Sequence, residues 1–200
     1  NTGEKKNFFL IKKIIINNTQ LVKKSVIQER LNVMYKKNIF LIKRKYIQES
    51  LQKIDFLEKI EVKKKYPDTI IVSVIETKPI ATIYKNQKKY FLDTSSNLIP
   101  FSEIKDIKNL PNVFGEGSQK HLVNFVKKLE KNNFPINKIK SFSYFPIGRW
   151  DLQFENNKII KFPYNLSDIL IVKISKLLND EDFKNYNIID LRVDGKIIVE

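Results

Sequence analysis

The stretch Tyr66-Pro67-Asp68-Thr69-Ile70-Ile71-Val72-Ser73-Val74-Ile75-Glu76-Thr77-Lys78-Pro79-Ile80-Ala81 decides the fold. Tyr-Pro-Asp is a turn signal, because Pro presets φ and Asp bonds its own backbone. The run behind it is rich in β-branched residues, with Ile70, Val72 and Val74 on one face at period two and Ile71 and Ile75 on the other. Pro79 has no N–H to give a ladder, so a boundary is expected at Thr77-Lys78-Pro79. Upstream, Ile60 and Val62 alternate with charge, which predicts a strand leading into the turn. Ile47, Leu51 and Ile54 recur at helical spacing, and Asp55-Phe56 ends that helix. Before a break at Asn38–Leu41, Val26, Ile27, Leu31 and Met34 predict an amphipathic helix over Lys23–Tyr35. Ile11–Asn18 reads as a strand closed by Asn-Asn. The order over residues 11–78 is β-α-α-β-β, enough to close one small core.

Past Pro79 the texture is strand-rich. Strands are expected at Ile80–Tyr84, Tyr90–Asp93 and, after the polar turn Thr94–Asn97, Leu98–Phe101. Leu110–Gly117 reads as irregular. Leu122, Phe125, Val126 and Leu129 predict a helix over Gln119–Lys131. Ile139–Phe145, the alternating Trp150, Leu152 and Phe154, and Lys158–Phe162 read as strands. A second helix is expected near Ser167–Leu178, with Leu170, Ile174, Leu177 and Leu178 on one stripe. Asp194-Gly195 between Ile188–Val193 and Lys196–Glu200 is a strong hairpin signal. The class is α+β, with residues 79–200 forming a mixed, strand-rich domain that carries two helices.

Composition narrows the function. The 200 residues contain no Cys and one His, which removes disulfide scaffolds, thiol catalysis, Cys-based zinc sites and the usual triads. Net charge is +15, yet it comes from 33 Lys against 4 Arg, beside 30 Ile and 20 Asn. Those three abundant residues have A/T-rich codons, so base composition explains much of the excess. Readers of phosphates and bases favour the bidentate Arg fork, so a nucleic-acid partner is not expected. The charge is uneven: +10 over residues 1–78 and +5 over 79–200.

No constellation nominates a reaction, so no enzyme, cofactor or metal is expected. His121 stands alone beside an apolar helix face. Glu116, Glu130, Glu155, Asp180, Glu181 and Asp182 are scattered or sit in polar turns. Gly115-Glu116-Gly117 lacks the continuation of a phosphate loop. Lys63-Lys64-Lys65 reads as a solvated strand end, and Trp150 as a core anchor. Arg149 and Arg192 stand out where Arg is so scarce; each suggests a bidentate or stacked contact, internal or with a partner. The terminal strand Lys196–Glu200 either lies inside the sheet or leaves an edge that templates an extended segment of another chain.

Six motifs in order resemble the FtsQ/DivIB family of bacterial cell-division proteins. Val74 to Ala81 is similar to its V-x-E-(R/K)-x-P-x-A closure of a POTRA domain, and Tyr66-Pro67-Asp68-Thr69-Ile70 to the turn before it. Tyr90-Phe91-Leu92-Asp93, Leu110-Pro111 with Gly115, Arg149-Trp150-Asp151-Leu152 and Asp190-Leu191-Arg192-Val193 resemble later segments, with Asn97 where the family often has Gly. The resemblance implies residues 1–10 as a remnant after a missing transmembrane helix, 11–78 as a POTRA domain and 79–200 as an FtsQ-type β domain. It implies a single-pass inner-membrane protein, this region periplasmic, acting as a non-enzymatic scaffold for septum formation. FtsB- and FtsL-type proteins are the implied partners, with other divisome components at the POTRA domain. FtsB would add a strand to Lys196, Ile197, Ile198 and Val199 and touch the helix at Leu170 and Lys173, with Arg149 and Arg192 as further contacts. A POTRA protein of outer-membrane transport and a basic nucleic-acid binder are the alternatives; the two helices of the second domain argue against the first.

Overall fold

The computed structural model describes residues 9–104, 107, 109–180 and 185–200. They form two compact units parted between Lys78 and Pro79. The first holds strands β1 (Lys13–Asn17), β2 (Leu57–Lys65) and β3 (Thr69–Glu76) and helices α1 (Lys24–Leu31) and α2 (Arg44–Ser50). β3 is central, parallel to β1 and antiparallel to β2. Register sets Ile14 beside Ile70, Ile16 and Val62 beside Val72, and Ile60 beside Val74, all buried. That aliphatic face packs with Ile27 and Leu31 of α1 and Ile47 of α2, while Met34, Ile39 and Leu51 are fully enclosed. The Glu76 carboxylate accepts backbone N–H bonds from Gln20, Leu21 and Val22 at 2.8–3.1 Å. The acid of the motif therefore ties the end of β3 to the loop that leads into α1.

The second unit is a nine-stranded sheet with two helices. Its strands are β4 (Pro79–Lys85), β5 (Lys88–Asp93), β6 (Leu98–Pro100), β7 (Asn112–Phe114), β8 (Ile139–Phe145), β9 (Arg149–Phe154), β10 (Ile159–Lys161), β11 (Ile188–Asp190) and β12 (Ile198–Val199). Their order is β12-β11-β10-β9-β8-β7-β4-β5-β6. α3 (Ser118–Lys131) joins the parallel pair β7 and β8, and α4 (Asp168–Leu177) joins the parallel pair β10 and β11. Parallel neighbours need such a crossover, since a tight hairpin cannot return the chain in the same direction. Both helices pack on one sheet face, in a core of Leu122, Phe125, Leu129, Phe142, Trp150, Phe162, Ile171 and Ile174. Trp150 stacks on Phe125 at 4.9 Å, as a core anchor should.

Several local readings differ from the structure, among them the second helix, α2, which ends at Ser50 and leaves Leu51 and Ile54 outside it. Leu110–Gly117 contains β7, a strand of three residues between Pro111 and Gly115, too short for alternation to show. It forms because parallel neighbours β4 and β8 flank it on both sides. The terminal hairpin is real, but its connection spans Leu191–Ile197 rather than two residues. In the Thr94–Asn97 turn, Ser96 takes the positive φ of 65°. Asn97 instead bonds the Asp93 carboxylate through its backbone and side-chain N–H groups. Among the described residues no helix is long and apolar enough to cross a membrane.

Candidate functional site

β12 is the last strand of the sheet order, with β11 on one side and no described strand on the other. Glu200 and Ile188 exchange both backbone hydrogen bonds, at 3.1 and 3.0 Å. In an antiparallel ladder the bonded pairs alternate, so Ile198 pairs the same way with Asp190 while Ile197 and Val199 turn their N–H and C=O groups away from β11. The outward edge of the sheet thus carries main-chain donors and acceptors on alternate residues. Ile197 and Val199 send their side chains against the core, and Ile198 sits on the opposite, open face.

Across that open face the register aligns Asp151 of β9, Lys161 of β10, Asp190 of β11 and Ile198 of β12. Arg149 and Arg192 extend the row. Arg149 is only 9 % exposed, lies 3.8 Å over the Phe145 ring and pairs with Asp151 at 3.0 Å. Arg192 forks onto Asp190, with Nε 2.9 Å from both carboxylate oxygens and Nη2 2.5 Å from Oδ2. Its backbone N–H also donates to Oδ1 at 3.0 Å. The Arg192 hydrogen bond holds the Asp190 carboxyl below its ordinary value of 3.8. Burial pushes the Asp151 carboxyl above 3.8, with Arg149, Lys161 and Arg192 opposing. Both arginines therefore make internal contacts that Lys cannot copy, a fork and a stack.

Beside the edge lies a groove of about 810 Å³. It is walled by the start of α4, the β8–β9 turn and the β11–β12 connection. Of the predicted contact residues it gathers Arg149, Leu170, Lys173, Arg192, Lys196 and Ile197, while Ile198 and Val199 lie next along β12. Ser167 caps α4 by accepting the Leu170 N–H at 3.2 Å, and this fixes Ile169 and Lys173, one turn apart, at the rim. Sequence reading missed three exposed apolar residues there, Ile147, Tyr164 and Ile169. Ile147 carried a signal: an aliphatic residue at the tip of Pro146-Ile147-Gly148 has no core to enter. The groove offers apolar rim, cationic wall and free main chain, a surface for an extended chain with acidic and apolar side chains.

The other singled-out residues lie elsewhere. His121 stacks on Tyr144 at 4.9 Å. Glu116, Glu130, Glu155 and Asp180 are dispersed, while Glu181 and Asp182, like residues 1–8, lie outside the described residues. Among the described residues no three His, Cys, Asp or Glu side chains are placed to hold a metal.

Residues 9–77 match the family model of the POTRA domain, FtsQ-type. Over 198 residues the chain is 27% identical to the cell division protein FtsQ of Rickettsia conorii, covering 96% of this chain and 72% of that one. It is 28% identical to the FtsQ of Rickettsia bellii, with the same coverage. Among solved structures it is similar to the major extracytoplasmic domain of the trans isomer of the cell division protein DivIB from Geobacillus stearothermophilus. That match is 15% identical, covers 54% of this chain and 89% of the other, and has a TM-score of 0.36.

Proposed function

We propose that the chain is a cell-division protein of the FtsQ/DivIB type, a non-enzymatic divisome scaffold that recruits partners by strand addition; the FtsQ-type POTRA match over residues 9–77 and the similarity to FtsQ proteins along the chain support this reading. In this reading an N-terminal transmembrane helix holds it at the inner membrane, with residues 11–78 and 79–200 as periplasmic POTRA and β domains. FtsB- and FtsL-type segments are the partners, and other divisome components use the POTRA domain. One observation carries the site: β12 ends the sheet with the N–H and C=O groups of Ile197 and Val199 turned outward beside the α4 groove. Main-chain hydrogen bonds supply affinity in such a complex, and flanking pockets supply choice of side chain.

The register makes the test clean. Ile197→Pro removes a donor that faces outward, so the ladder to β11 keeps its bonds while an incoming strand loses one and meets the pyrrolidine ring. Titration of the chain with periplasmic segments of FtsB and FtsL from the same organism is expected to saturate, and Ile197→Pro to weaken binding about tenfold or more, the cost of one lost hydrogen bond plus a clash. The variant should melt, by circular dichroism, within a few degrees of the parent. Unchanged affinity in a folded Ile197→Pro protein overturns strand addition at β12.

A further inference from the structure

The first unit carries a surface that strand addition leaves unused. Phe40 is 53 % exposed, and its ring stacks on Tyr66 at 4.6 Å and meets the edge of Phe9 at 4.9 Å. Leu41 beside it is 79 % exposed, and Tyr46 is exposed as well. Lysines are threaded through these rings. Lys64 donates to the Phe40 carbonyl at 3.4 Å, and the Lys37 ammonium sits 5.1 Å over the Tyr46 ring. Lys36–Tyr46 contains five cations and no acid, and Lys63-Lys64-Lys65 runs up the edge strand β2 to Tyr66. Of these cations only Lys45 has a described carboxylate partner, Glu49 at 3.8 Å.

We propose that this aromatic and lysine surface is a peripheral membrane contact that seats the first unit on an anionic bilayer. Exposed rings and a projecting leucine cost free energy in water and recover it at the level of lipid headgroups, where lysines keep their charge in the wet layer. The cations are nearly all lysine, which suits a diffuse negative surface and not a partner that demands bidentate geometry. The net charge of +10 over residues 1–78 has the complementary sign. Leu41 protrudes, so its match is a deformable layer and not a cleft. The inference rests on the preceding reading only in taking a membrane to be at hand.

Brominated lipid quenches a nearby tryptophan, and residues 9–78 contain none; the single Trp150 is buried in the second unit. Leu41→Trp therefore reports the patch, and Ile169→Trp, at an 82 % exposed site of the second unit, is the matched control. Vesicles of brominated phosphatidylcholine, with and without phosphatidylglycerol, are added to each at about 0.15 M salt, where screening acts over roughly 8 Å. Quenching and a blue shift at Leu41→Trp, confined to vesicles with phosphatidylglycerol and absent at Ile169→Trp, are expected. The charge-neutral pair Phe40→Ser with Leu41→Asn should reduce co-sedimentation about tenfold, since buried apolar area scales the partitioning. Equal quenching at both probes marks adsorption by charge alone and overturns the proposal. So does absence of binding, or co-sedimentation indifferent to the Phe40 and Leu41 changes in a protein with an unaltered melt. The FtsB titration needs no lipid, so each reading fails separately.

Discussion

Gly115 shows how one atom can decide a local structure. A Cβ there would lie 2.0 Å from the Tyr144 carbonyl oxygen, and its φ is 101°. At Gly117 φ is 84°, but the nearest atom is a Tyr144 ring carbon at 3.3 Å, which can tilt away. Gly115→Ala is therefore expected to cost about 3 kcal/mol, combining a left-handed penalty with a backbone clash, and Gly117→Ala only about 1 kcal/mol. Chemical denaturation of both variants checks the order. The arginine pairs were legible in part. Scarcity marked Arg149 and Arg192, and both acids lie two residues away, Asp151 and Asp190, a spacing that shares one strand face. That spacing was available in the sequence, but whether a partner chain competed for the guanidinium was not. Asp190 is held below 3.8 in the folded protein, so its share of stability is present above the unfolded value and lost as pH falls through the lower folded one. Arg192→Gln should move that loss to higher pH, with the melting temperature dropping earlier on acidification. Asp151 works in the opposite sense: its carboxyl is raised, so its ionisation costs stability as pH climbs past 3.8. A parallel shift of the whole pH profile, with no change of midpoint, would sink the Asp190 assignment.

Elements were readable in proportion to their length and periodicity. The extent of α4 followed from its apolar stripe, and the structure adds that Ser167 caps it. Ser167→Ala should cost about 1 kcal/mol, the usual worth of an N-cap. Ile174→Ala, on the same helix with no exposed surface, should cost about 2–5 kcal/mol. Thermal melts of the two variants separate capping from packing. The cap matters beyond stability, because the first turn of α4 carries the groove rim at Ile169 and Leu170. β7 was the hard element: at three residues its identity comes from neighbours far along the chain, β4 and β8. The edge position of β12 is likewise a property of sheet order, which no local pattern encodes. The Phe9, Phe40 and Tyr66 cluster escaped notice because its rings come from three separate loops.

At the scale of the molecule, the two units divide the chemistry. The larger one has a core drawn entirely from residues 79–200, and it holds both the β12 edge and the groove. The smaller one closes its own core from Ile11, Ile27, Leu31, Ile47, Ile70 and Val72 and holds the aromatic and lysine patch. Surface-to-volume scaling makes the smaller unit the more marginal of the two. A fragment of residues 79–200 is therefore expected to fold with unchanged Trp150 emission and, on the proposed function, to match the whole chain in titrations with FtsB-type segments. A fragment of residues 1–78 should melt lower, yet carry the vesicle-dependent quenching of Leu41→Trp. Binding of the FtsB segment that vanishes in a folded 79–200 fragment would place part of its site on the POTRA domain. Retention there, together with loss in Ile197→Pro of the same fragment, confines recruitment to one strand edge and leaves the first unit free to hold the membrane.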